Sequence, residues 1–121
     1  MTTRDKIFQS DDIAVEIVEI PLWGVTVEVR GMSGEDRSRI FEALAADGGD
    51  IKPSKLYVEA AIASTYDIET GAPVFEPGDG PALLQKSAQA IDILAKAALR
   101  LSGMEGEASQ DDAGKSVSEE S

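Results

Sequence analysis

From Trp23 to Arg30 the residues alternate: Trp23, Val25, Val27 and Val29 share one parity, and Thr26, Glu28 and Arg30 share the other. Side chains leave a β-strand on opposite faces with a period of two, so this pattern describes a strand with one face in a core and one in water. A helix would scatter the same four apolar residues around its circumference. The stretch upstream, Ile13 to Ile20, is rich in the β-branched residues that suit strands. Its parity shifts, however, from Ile13, Val15 and Ile17 to Val18 and Ile20. A bulge near Ile17 or a strand covered on both faces would explain the shift, and the residues do not choose between them. Between the two runs stands Pro21-Leu22-Trp23-Gly24, in which proline presets its φ and glycine permits a positive one, so an antiparallel hairpin is expected. Trp23 either continues the valine face into the core or stands at the hairpin tip as an aromatic anchor for a partner.

Helices follow the hairpin. Ser33 with Asp36 three residues later is a variant of the capping box, and Glu35 and Asp36 suit the positive end of a helix dipole. A helix is expected from about Gly34, with Ile40, Phe41 and Leu44 as its apolar stripe and the glycines of Asp47–Asp50 ending it. A second helix starts near Pro53 and carries Leu56, Ala60 and Ala63 on one face beside Val58 and Ile62. Thr70-Gly71, inside Tyr66 to Phe75, marks a small turn or minor hairpin. Asp79 can cap the next helix, with Pro81 in its first turn. In the last helical region Ile91, Leu94, Ala98 and Leu101 recur at helical spacing and Gly103 makes a stop; Ser87 leaves one helix or a short and a long one open.

The chain of 121 residues suits one domain, and this one has neither cysteine nor histidine. That removes Cys/His zinc sites, thiol nucleophiles and Ser-His-Asp triads. With 23 Asp and Glu against 11 Lys and Arg the net charge is −12, which should repel nucleic acid and anionic membranes. No apolar run approaches a membrane span, and the N-terminus lacks a secretory h-region, so a cytoplasmic protein is expected. Residues 105–121 hold six acids, one lysine and a single medium apolar residue, Val117; a disordered acidic tail is expected there. The expected fold is α+β, mainly helical: a partly ordered segment 1–12, then a single domain 13–104 in which the N-terminal hairpin lies on three to four helices.

The chemical near-motifs fail on inspection. Gly31-Met32-Ser33-Gly34-Glu35 lacks the spacing of a nucleophile elbow, and its serine has no histidine base. Asp47–Asp50 and Pro77–Pro81 lack the spaced ligands of a calcium loop and the Lys-Ser/Thr of a phosphate loop. Asp67 and Glu69 could pair for glycoside hydrolysis, but they sit beside a turn in a chain with six aromatic residues to build a sugar groove. A protein with no catalytic, cofactor or metal site is expected. A candidate partner surface is the Ile91, Leu94, Ala98 and Leu101 stripe, with Trp23 or Phe75 at its edge; the competing account of the stripe is a plain core face.

The segments "WGVTVEVRGMSGEDR", "YDIETGAPVF" and "LLQKSAQAIDILAKAALRLSGM", in this order and spacing, resemble the tail assembly chaperones of long-tailed bacteriophages and prophages, especially those of actinobacterial hosts. The resemblance implies a non-enzymatic helper in the host cytoplasm, absent from the mature virion. Such a protein binds the tape measure protein, keeps it soluble and promotes assembly of tail tube subunits around it. It also implies a longer product made by ribosomal frameshift near the C-terminus. Self-association is left open. Two rival classes remain: an acidic decoy that mimics nucleic acid, whose carboxylates should form a regular surface array, and a tail-completion or connector protein that stays in the particle.

Overall fold

The computed structural model describes residues 1–46, Gly48 and 52–104. In chain order these form α1 (Thr3–Gln9), β1 (Val15–Ile20), β2 (Val25–Arg30), α2 (Gly34–Ala45), α3 (Pro53–Ser64), β3 (Thr65–Tyr66), α4 (Gly80–Leu83) and α5 (Ala88–Leu101). The strands make one antiparallel sheet in the order β1-β2-β3. The α+β architecture with an N-terminal hairpin on a mainly helical body is therefore observed. The expected acidic tail, 105–121, lies outside the described residues, as does most of Asp47–Asp50.

The hairpin register runs without interruption from Val15↔Arg30 to Ile20↔Val25, so neither a bulge nor coverage on both faces accounts for the parity shift. Val18, Ile20, Val27 and Val29 are buried on the inner face, and Val15 and Ile17 stay more than half exposed on the outer one, with Ile13 exposed just before the strand. The apolar residues of the first parity simply face outward. Trp23 belongs to a 3-10 turn, Pro21–Trp23, closed by Gly24 at φ 65°, and β2 starts two residues later than the alternation suggested. Its ring is half-buried against the core.

Beneath the sheet lies α5, with α3 packed against it, and the two helices supply Leu56, Ala60, Leu94, Ala98 and Leu99 to a common core. The many alanines of α5 present little side-chain bulk, which lets its backbone come close to its neighbours. The junction of sheet and α5 is tied twice: the Met32 amide donates to the Ser102 hydroxyl at 2.8 Å, and Gly31 lies against the Leu101 carbonyl. Ser33 and Asp36 form the expected reciprocal cap of α2. Ser87 resolves the open question in the last helical region: its side chain accepts from the Ala90 amide and starts α5, leaving α4 as a separate short helix. Asp79 does not cap α4; its carboxylate accepts from the Glu76 amide at 2.8 Å and closes the 3-10 turn Pro77–Asp79. At the C-terminal end of α5, Gly103 adopts φ 73°, the Met104 amide donates to the Leu99 carbonyl and the Gly103 amide to that of Arg100. This is a Schellman ending, with Met104 buried as its hydrophobic contact.

The minor hairpin was expected, but its place in the sheet and a helix at the N-terminus were not. The minor hairpin of Tyr66–Phe75 is present, bridged at Tyr66↔Pro73, and its first arm joins the sheet as β3. The N-terminal segment forms α1 under a Thr2–Asp5 capping box, without burying any of its residues.

Candidate functional site

The last-helix stripe is occupied by the chain itself. Ile91, Leu94 and Ala98 are buried and Leu101 is half-buried against the same core, so in this conformation Ile91, Leu94 and Ala98 offer a partner no surface. The physical reason is that the period of α5 aims this face at β1, β2 and α3. Phe75 is half-buried in a different place, beside α2 and α3.

There the structure has a groove of about 630 Å³, walled by α2, α3 and the segment from Pro73 to Pro77. Its apolar lining comes from Ile40 and Ala43 of α2, Ile62 and Ala63 of α3, and Tyr66, Pro73, Phe75 and Pro77. Asp36, Arg39, Glu42 and Glu59 add charge. Of the residues singled out in the sequence as partner contacts, only Phe75 lines it. Ile40 and Ile62 were legible only as apolar helix positions, and nothing local marks them as neighbours across a groove.

The wall formed by Tyr66 is fixed from several sides. Its backbone pairs with Glu28 of β2 and bridges to Pro73, and its ring lies 3.9 Å beneath the Arg30 guanidinium. Arg30 is in turn held by Glu28 at 2.6 Å. On the far side of Tyr66 a second hollow of about 510 Å³ opens on the outer sheet face, lined by Ile13, Val15, Glu28 and Arg30.

The Asp67–Glu69 pair is not arranged for catalysis. One Asp67 oxygen accepts the amides of Glu69 at 2.8 Å and Thr70 at 3.0 Å, and these amides, that of Thr70 foremost, hold its carboxyl below the ordinary value. A carboxyl kept ionised by its own turn is a poor proton donor. Among the described residues no group of three or more His, Cys, Asp or Glu is placed to hold a metal ion. None of their helices is long and apolar enough to cross a membrane.

No family model matches the chain, and no curated protein matches its sequence. Among solved structures it is similar to the tail assembly chaperone of bacteriophage HK97, at a TM-score of 0.55 and 22% identity over 82% of this chain and 96% of that one. The chain shares the fold of that chaperone, and the likeness to phage tail assembly chaperones is supported at the level of fold.

Proposed function

We propose that this chain is a non-enzymatic tail assembly chaperone of a long-tailed phage or prophage, which binds the tape measure protein, keeps it soluble and promotes assembly of the tail tube around it. The observation that carries this reading is the fold shared with the HK97 chaperone over nearly all of that chain. Two features of the residues support it: an apolar groove on the surface, suited to a segment that would otherwise aggregate, and a net charge of −12, which favours solubility of a complex. The proposed setting is the cytoplasm of the infected cell, with tail tube protein as a second partner and a frameshifted longer product from the same gene.

Co-expression with the tape measure protein tests the reading. The tape measure should shift from the insoluble to the soluble fraction and co-purify with the chain, and mass spectrometry of finished particles should not find the chain. A tape measure that stays insoluble would refute the chaperone role, and abundant chain in particles would favour a connector. Against the acidic-decoy alternative, Glu16, Glu28 and Asp36 each pair with an arginine of the chain itself.

A further inference from the structure

We propose that the groove between α2 and α3 is the docking site for an amphipathic helix of a partner protein whose apolar face is flanked by lysine or arginine. That such a helix belongs to a tape measure protein rests on the chaperone reading.

Backbone chemistry selects a helix. An extended segment brings unpaired N–H and C=O groups and needs a partner edge to satisfy them. Two walls of this groove are helices whose backbone groups are bonded within the helix, and the third is punctuated by Pro73 and Pro77, which have no N–H to offer. A helix satisfies its own backbone and needs from its host only an apolar surface. Ile40, Ile62 and Phe75 supply it.

Charge selects the flanks. Asp36 is already committed: one carboxylate oxygen accepts from the Ser33 amide and the other from Arg39 at 2.5 Å. Glu42 of α2 and Glu59 of α3 have no ion-pair partner among the described residues. With Asp36 and Arg39 cancelling, the rim carries the two charges of these glutamates, one from each helical wall. An apolar helix with basic flanks would meet both; one with acidic flanks would be repelled.

Two synthetic peptides of about 18 residues, roughly five helical turns, provide the test. Both carry leucines at helical spacing, one flanked by lysines and the other by glutamates. Fluorescence anisotropy with the full chain at low salt should show the lysine peptide binding on the order of tenfold more tightly. The double variant Glu42→Lys/Glu59→Lys should invert that order while melting as the wild type does. Should the variant fold poorly, a salt titration of the wild type decides instead: affinity for the lysine peptide should fall and that for the glutamate peptide should rise. Failure of both peptides to bind the wild type, or a preference indifferent to charge reversal or to salt, would overturn the proposal. Co-expression separates it from the chaperone reading. A tape measure kept soluble equally well by the folded charge-reversed variant removes the groove and leaves the chaperone. Peptide binding by a wild type that fails to solubilise the tape measure removes the chaperone and leaves the groove.

Discussion

Gly31 sits so close to Leu101 that a Cβ on the glycine would lie 2.8 Å from the Leu101 carbonyl oxygen. The obstacle is backbone at the end of α5, which has little freedom to retreat. Gly31→Ala should therefore destabilise the chain by about 1–3 kcal/mol, the usual range for overpacking. Gly34, in the first turn of α2, has open space around its would-be Cβ, and Gly34→Ala should add about 0.4–1 kcal/mol by restricting the unfolded chain. Urea denaturation of the two variants side by side checks both signs; equal effects would contradict the close-approach account.

Leu94 is 1% exposed in the middle of the core. Replacing it with alanine should cost about 2–5 kcal/mol, because the alanine-rich helix around it cannot collapse far into the space left behind. A chemical melt indistinguishable from that of the wild type would mean that Leu94 does not do the work of a core residue.

The Ser64 hydroxyl is buried without a hydrogen-bond partner among the described residues. Such a group forfeits its bonds to water and receives nothing in return. Ser64→Ala is expected to raise stability, by up to about 1 kcal/mol. A fall in melting temperature instead would reveal a bond made by this hydroxyl in solution.

Acid sensitivity should be traceable to Asp67. Because the Thr70 and Glu69 amides hold its carboxyl below the ordinary aspartate value in the folded chain, ionised Asp67 contributes stability at pH values above that ordinary value. This contribution disappears as pH falls through the lowered folded value. Asp67→Asn retains an oxygen to accept the Glu69 and Thr70 amides but cannot titrate. Wild type and variant should differ in the slope of melting temperature against pH on the acid limb and run parallel near neutrality; parallel curves throughout would rule Asp67 out.

How much of this was legible in the residues depended on whether the information was local. The hairpin, the Ser33 cap and the Gly103 stop are written in short windows, and the structure places each of them there. The Thr2–Asp5 cap of α1 is the same kind of local signal as Ser33–Asp36, but no buried apolar stripe follows it to mark a helix. β3 was not foreseeable by period, being two residues long. The groove was hidden for a different reason: α2, α3 and the Pro73–Pro77 segment meet only through tertiary packing, and each of their apolar positions looks locally like ordinary core. For the same reason the α5 stripe, conspicuous in sequence, does not by itself distinguish a core face from a surface; the packing of the sheet on it does.

The order of synthesis gives the contact between α5 and the sheet a further consequence. Among the described elements the hairpin is translated well before α5, which covers much of its inner face and comes last of them. Until Leu94 and Leu99 have been translated, Val18, Ile20, Val27 and Val29 lack their final cover. The domain cannot close progressively from its N-terminus; contacts of such long sequence separation form late and collectively. A chain interrupted before α5 would thus present a sticky hairpin in place of a smaller stable protein, and a ribosome pausing at codons for residues 84–87 would prolong that exposed interval.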